Sequence, residues 1–302
     1  MKYLKKCPIC NNEHFRTIYS DLKDRLHEQN QEKFSIQSCQ ECGTILTNPQ
    51  IELTEYAKYY PTNEYIPYVP QKIKKSQIIS KLIHDTIVKL FIEKTRGVIN
   101  PGQKILEIGC ANGDFLLKCK NKGMEVVGVE IDKTIAKRAA DRGLKVLGMS
   151  FEQAYHHVKD KKFDIIFMSH VFEHFQNPQK VLANIKNLLT ERGTIILIIP
   201  NTNSITHFIF KKDCMHLDIP RHFYHYSPKN INYLAERNKL KIEKIRFVSG
   251  PPSFINSIRY KFHLKNLRLD KSYLLKILLL PMIIIFNIIK MGDEITVFLR
   301  KK

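Results

Sequence analysis

The chain reads as an α/β fold, a mostly parallel sheet wrapped by helices, behind a small cysteine-bearing segment. Two observations carry this. From residue 101 to 302, short apolar runs alternate with amphipathic stretches, the pattern of successive βα units. Residues 1–50 instead hold two cysteine pairs and little helical periodicity, and residues 51–100 carry aromatic-rich and helical stretches. No internal repeat is present. A length of 302 residues accommodates one full α/β domain and a small accessory piece.

Seven strands follow from the apolar runs. KILEIG (104–109) is the first, and DFLLKCKNK follows as a helix closed by Gly123. MEVVGVEID (124–132) is the second, and KTIAKRAADR is a helix closed by Gly143. LKVLGM and FDIIFMSH (163–170) are the third and fourth. Asn177-Pro178 places a cap residue before a proline at the first helical position, and the helix runs through VLANIKNLLT. TIILIIPN (194–201) is the fifth strand, and Ser227-Pro228 opens another helix by the same device. KIEKIRFVS (241–249) and EITVFLRK (294–301) close the set.

The formal net charge is +20, from 49 Lys and Arg against 29 Asp and Glu. Such a chain is drawn to nucleic acid, anionic membrane or anionic substrate. The lysines are spread along the chain without one long basic block, so a solvated basic surface explains them equally well. MKYLKKCPIC has no apolar h-region, and a reducing cytoplasm is the expected setting. Paired cysteines in that setting point to metal rather than disulfide.

Cys7-x2-Cys10 and Cys39-x2-Cys42 flank 28 residues. Two such knuckles outline a tetrahedral thiolate zinc site. Asn11-Asn12 and Gly43 follow them and suit tight knuckle turns. Four cysteines leave no open coordination position, so the zinc is expected to be structural. Cys110, Cys119 and Cys214 read as ordinary buried residues.

Glu107-Ile-Gly109-Cys-Ala111-Asn-Gly113 places two glycines at a strand's carboxyl end, just before a helix. Ligands of open parallel sheets bind there, where glycine lets the backbone approach closely. ExGxxxG differs from the dinucleotide GxGxxG. Glu130 ends the second strand, 17 positions after Gly113, where a carboxylate can accept hydrogen bonds from both ribose hydroxyls. A solvated strand-end acid is the plainer alternative.

In this order, EIGCANG, GVEID, FDIIFMSHVFEHF with its Pro-initiated helix, GTIILIIPN and HLDIPRHFYHYSP resemble the class I S-adenosylmethionine-dependent methyltransferases of a bacterial methyltransferase-domain family. The resemblance covers about residues 101–302. It implies a seven-stranded Rossmann-like methyltransferase sheet with the last strand antiparallel. It implies S-adenosylmethionine contacts from Glu107, Gly109, Ala111 and Gly113, and ribose contact from Glu130. Ser150, Phe151 and Glu152 follow the third strand where such enzymes hold adenine, and Ser169 and His170 end the fourth beside the methionine part. Ala111 stands where many relatives have glycine, which is tolerable if its φ is negative. Tyr59, Tyr60, Tyr65 and Tyr68 fall in a stretch that the resemblance folds over the cofactor as a lid, with Tyr65 its expected contact. A Tyr-rich packing loop would read the same way.

Methyl transfer to oxygen or nitrogen calls for a base, and histidine suits that near neutral pH. His222 and His170 are the expected bases, among His170, Glu173 and His174 after the fourth strand and His216, Arg221, His222, Tyr224 and His225 after the fifth. Local packing or hydrogen bonding explains any single one of these as well. A metal held by His216, Asp218, His222 and His225 is not expected, because the spacing suits no familiar site and Pro220 interrupts it.

Residues 273–290, YLLKILLLPMIIIFNIIK, are apolar on nearly all faces. Lys276, Pro281 and Asn287 break the run. A spanning helix needs ~20 apolar residues. The strand EITVFLRK must also return to the sheet, so an interfacial patch on the inner membrane face is the expectation. Burial against the core or a dimer partner is the alternative. The expected reaction is methyl transfer to a sugar or glycan, free or lipid-linked, in cell-surface polysaccharide biosynthesis. The ribbon resembles that of some sugar C-methyltransferases and some ribosomal RNA methyltransferases alike. Its rivals are an RNA methyltransferase that uses ribbon and charge for RNA, a quinone-precursor O-methyltransferase, and a non-enzymatic cofactor-binding subunit.

Overall fold

The computed structural model describes residues 1–26, 30–59, 99–264, 267, 269 and 272–302. Tyr60, Tyr65 and Tyr68, with the lid expected of them, lie outside the described residues.

All seven strands form: β4 (Lys104–Ile108), β5 (Glu125–Glu130), β6 (Val146–Gly148), β7 (Phe163–Ser169), β8 (Leu189–Pro200), β10 (Leu240–Val248) and β11 (Glu294–Lys301). They make one sheet in the order β10-β11-β8-β7-β4-β5-β6. β4, β5 and β6 pair in parallel, whereas β11 lies antiparallel to both β8 and β10. β8 begins five residues before the expected Thr194, because Leu189 is buried and the Thr190 hydroxyl donates to Asp164 at 3.1 Å. Three further strands, β1 (Phe15–Leu22), β2 (Phe34–Cys39) and β3 (Ile45–Asn48), join the two-residue β9 (Tyr224–His225) in an antiparallel four-stranded sheet that the periodicity did not announce.

The chain divides into two compact units. One holds Tyr60–Phe167 and Asn187–Thr194. Its helices α1 (Asp114–Lys120), α2 (Lys133–Asp141) and α3 (Phe151–Val158) each start from a sequence signal. Gly113 precedes α1 in the left-handed region, and a Cβ there would lie 2.3 Å from Leu144 Cδ1. The Asp132 carboxylate caps α2 by accepting from the Thr134 and Ile135 amides. Ser150 and Gln153 form a capping box at α3. Ile135, Ala136 and Ala139 bury one face of α2.

The other unit holds Met1–Tyr59, Met168–Lys186 and Ile195–Lys302. It contains α4 (Pro178–Leu188), α5 (Ile205–Phe210), α6 (Pro228–Arg237), α7 (Pro251–Lys261) and α8 (Tyr273–Ile288). The caps expected at Asn177-Pro178 and Ser227-Pro228 are in place, with Asn177 accepting from the Lys180 amide and Ser227 from Asn230. β3 pairs with β9, Ile45 opposite His225 and Leu46 opposite Tyr224. The Thr47 amide donates to the Phe223 carbonyl at 3.0 Å. Arg221 is the largest fully buried side chain of the unit. Its guanidinium donates to both Asp24 oxygens at 3.0 and 3.1 Å and to Asp218 at 2.7 and 2.9 Å. Two carboxylates and five directed donors make such a burial tolerable, and loss of either carboxylate would leave an uncompensated charge.

Tyr59 is buried edge-on to Phe34, with its carbonyl accepting from Arg221. In α8, Ile283 and Phe286 are buried, and Phe286 meets Phe254 of α7 at 6.3 Å. Leu274, Ile277, Leu278, Ile284, Ile285 and Ile288 of the same helix are exposed. Among the described residues no helix is long and apolar enough to cross a membrane.

Candidate functional site: a glycine turn, an imidazole–carboxylate cluster and four thiols

The turn after β4 runs through three left-handed residues, Gly109 (φ 74°), Ala111 (φ 45°) and Gly113 (φ 75°). The negative φ expected of Ala111 is not what the structure has. A left-handed alanine costs about 1–2 kcal/mol, and a specific contact holds it there. The Ala111 amide donates to Glu130 Oε2 at 2.9 Å, and the Asp132 amide donates to Oε1 of the same carboxylate at 3.0 Å. The Gly109 and Cys110 amides both donate to the Val129 carbonyl. The turn is thus tied to the end of β5 by backbone and side chain together. A Cβ on Gly128 would sit 2.7 Å from Cys110 Sγ, so the bare strand makes room for that buried thiol. Burial raises the Cys110 pKa further from ionisation, which fits packing and not a nucleophile.

Glu130 is only 3% exposed. Glu107, on the last turn-facing position of β4, is 5% exposed, and its Oε2 has no hydrogen-bond partner. A buried carboxyl oxygen left open is costly unless something binds it. Burial, then the Asp114 and Glu130 carboxylates, push the Glu107 pKa well above the usual range. Ser150 spends its hydroxyl oxygen on the α3 cap, accepting from the Gln153 amide, and Phe151 is buried beside it against Tyr155.

The imidazole–carboxylate cluster belongs to the other unit. Ser169 ends β7 half-buried, and His170 follows with φ 53°, its amide donating to the Ile198 carbonyl at 2.9 Å. The His170 ring lies between two acids, Nδ1 3.6 Å from Glu173 and Nε2 3.5 Å from Glu294. Desolvation lowers its pKa, but Glu294 and Glu173 outweigh that and raise it well above the ordinary value. His222 is nearly sealed. Its Nδ1 is 2.8 Å from the His216 carbonyl, and its Nε2 faces Glu173 at 3.8 Å and Asp218 at 3.9 Å. Burial, with His174 nearby, holds its pKa well below normal. The two expected bases are therefore brought to one carboxylate, Glu173, with their pKa values moved in opposite directions. Glu173 stood in the sequence without a role, and Glu294 and Asp24 were not singled out at all.

The His216/Asp218/His222/His225 grouping does not assemble. His225 Nε2 instead pairs with the Thr47 hydroxyl at 2.9 Å, and burial lowers its pKa to about 3. Cys7, Cys10, Cys39 and Cys42 do converge, with Sγ atoms 3.6 Å apart for Cys7 and Cys42 and 3.5 Å for Cys10 and Cys39. Asn11 (φ 63°) and Gly43 (φ 69°) take the left-handed knuckle positions, and their amides donate to the Cys7 and Cys39 carbonyls. Four converging sulfurs near the edge length of a thiolate tetrahedron can hold one zinc ion.

Glu107 gives the turn a measurable signature. A carboxyl whose folded pKa is raised binds its proton more tightly folded than unfolded. Its contribution is therefore lost as pH rises from the ordinary carboxylate range through the folded value. Glu107→Gln is expected to match the wild type in urea unfolding at acid pH and to exceed it at pH ~8. Equal stability differences at both pH values would contradict the buried, protonated acid.

Against known proteins, the model of a methyltransferase-domain family matches residues 78–245. An uncharacterized protein of Methanocaldococcus jannaschii is 33% identical over 150 residues, which is 50% of this chain and 60% of that protein. A ubiquinone biosynthesis O-methyltransferase of Glaesserella parasuis is 30% identical over 116 residues, 35% of this chain and 48% of the relative. The chain thus spans about half the length of these curated relatives. A SAM-dependent methyltransferase structure from Archaeoglobus fulgidus shares the fold with TM-score 0.51 at 21% identity, over 72% of this chain and 94% of that one. The family model covers more than half of the sequence, and its span contains the turn, the strand-end acid, His170, Glu173 and His222. The chain belongs to the methyltransferase-domain family and carries the class I fold of S-adenosylmethionine-dependent methyltransferases.

Proposed function

We propose that the protein transfers a methyl group from S-adenosylmethionine to a hydroxyl of a lipid-linked glycan at a membrane surface. The observation that carries methyl transfer is the β4 turn, closed on Glu130 and backed by the open oxygen of Glu107. When bound, S-adenosylmethionine supplies an electrophilic methyl sulfonium. By the resemblance, Glu130 would accept hydrogen bonds from the ribose hydroxyls. Glu107 offers an unpaired oxygen beside the turn, and a cationic ligand there would lower its pKa. Ser150 and Phe151 stand at the adenine end. The resemblance implies a further contact from Ser169 beside the methionine part. The C–O bond forms as the C–S bond breaks, and the acceptor's hydroxyl proton leaves. His170 is the candidate base: its ring is 41% exposed, and because Glu294 and Glu173 raise its pKa, it accepts the proton from its neutral form, whose share grows as pH rises. The neutral thioether is a good leaving group, so positioning contributes most of the rate.

The acceptor reading is supported by α8. Seven large apolar side chains, Leu280 included, stand exposed on one helix that also carries Lys276. An apolar face with basic residues on the same chain complements an anionic lipid surface, where each lysine near the surface contributes about 1 kcal/mol. Such a surface is where a lipid-carried glycan resides. A quinone precursor is the second reading, favoured by the Glaesserella relative and by the same apolar face.

Labelled S-adenosylmethionine tests the acceptor. The full chain is offered a polyprenyl-linked oligosaccharide in phosphatidylglycerol vesicles, the oligosaccharide freed from lipid, a demethylated quinone precursor, and RNA. Label should enter the lipid-linked glycan. Leu278→Glu with Ile284→Glu should lower that incorporation at least about tenfold, the effect of losing about 1.4 kcal/mol of lipid contact. Labelling of RNA or of the quinone precursor instead of glycan would overturn the reading.

We also propose that Cys7, Cys10, Cys39 and Cys42 hold a structural zinc. Elemental analysis should find a single zinc per chain, absent in Cys39→Ser. Because β3 hydrogen-bonds to β9, the same substitution should speed hydrogen exchange at the Thr47 amide. Folded wild-type protein purified without metal would contradict the zinc.

A further inference from the structure

Glu173 presents a problem that its place beside His170 does not fully absorb. It sits in the short turn of 3-10 helix after β7, its side chain is 0% exposed, and neither carboxylate oxygen has a hydrogen-bond partner. Even so its pKa is held below the ordinary value: burial raises it, but the neighbouring His170 and His174 outweigh burial. A sealed, unbonded carboxylate costs several kcal/mol unless a cation or donors meet it.

Two imidazoles converge on the same point. One ligand atom each from Glu173, His174 and His222 lies within 4.8 Å of the others. Both rings are oriented from behind by backbone carbonyls. His222 Nδ1 is 2.8 Å from the His216 carbonyl, and His174 Nδ1 is 2.9 Å from the Arg221 carbonyl. A ring whose Nδ1–H is donated to a carbonyl has its tautomer fixed with the lone pair on Nε2, the arrangement that ligating histidines take. The support is rigid. The buried Arg221 guanidinium clamps Asp218, the His222 amide donates to the Asp218 carbonyl, and the Phe223 amide donates to the Glu173 carbonyl. Asp218 Oδ2 stands 3.9 Å from His222 Nε2, a further oxygen at the edge of the group.

We propose that Glu173, His174 and His222 bind a divalent first-row transition cation through two imidazole nitrogens and a carboxylate oxygen. This donor set leaves coordination positions open, unlike the four thiolates. The ligand atoms draw together as the ion enters. The binding stands apart from the methyl-transfer reading. The role it would serve, polarising an acceptor oxygen, rests on that reading.

Mn2+ is the discriminating probe, because a hard ion ignores thiolates and accepts nitrogen and oxygen donors. Full-length protein carrying its zinc is titrated with MnCl2, and the loss of the free-ion paramagnetic resonance signal is followed. One Mn2+ per chain is expected. Glu173→Gln and His222→Asn should each weaken it by about 30-fold or more, within the range seen when metal sites lose a supporting group. His263→Asn, on an exposed ring, should bind as the wild type does. Should either site variant fail to fold, the wild type still decides, since bound Mn2+ must broaden the imidazole resonances of His174 and His222 before those of His14. No saturable uptake by the wild type would assign Glu173 to the His170 imidazolium alone and overturn the site. So would site variants that bind unchanged.

Discussion

The carboxylate of Glu130 closes the loop between β4 and α1. One oxygen accepts the Ala111 amide and the other accepts the Asp132 amide. This fixes an alanine in a conformation that alanine resists, and so fixes the path of the whole turn. The direction of the neighbouring amides and the depth of the turn follow from that single acid. So does the placement of Glu107 beneath it, with an oxygen open to whatever the turn receives. Glu130 therefore builds the turn before any ligand arrives, and a site assembled in advance in this way loses little ordering entropy on binding.

Arg221 has the corresponding place in the other unit. Its guanidinium joins Asp24, from the cysteine-bearing segment, to Asp218, in the segment that carries His222. The Thr47 hydroxyl donates to the His222 carbonyl at 2.7 Å, and β3 pairs with β9. Pairing of Ile45 with His225 and the Thr47 bond to the His222 carbonyl thus tie the cysteine-bearing segment to both histidines.

Much of this was legible in the sequence. The seven strands, the caps at Asn177 and Ser227, the knuckle residues and the strand-end position of Glu130 all follow from local rules. What was not legible depends on contacts across long separations. No periodicity marks Asp24 as the partner of a residue 197 positions away. β9 is two residues long and exists only because β3 lies beside it. Ala111 is left-handed because a distant acid takes its amide, whereas alanine by itself points to the opposite sign of φ. Glu173 looked like one more polar residue in a histidine-rich stretch. Only its burial, with both oxygens unbonded, sets it apart. For the apolar stretch at 273–290 the structure adds which of its side chains are covered, Ile283 and Phe286, and among the described residues no helix is long and apolar enough to cross a membrane.

The central claim is that the turn tied by Glu130 is built for S-adenosylmethionine. Isothermal calorimetry on the cofactor-free full chain tests it most directly, with Glu130→Ala measured alongside. One S-adenosylmethionine should bind per wild-type chain, and the substitution should weaken binding by about 30-fold or more, the effect of losing charge-assisted hydrogen bonds together with the tie to Ala111. A wild type that binds none, or a Glu130→Ala chain that binds equally well, would contradict the account.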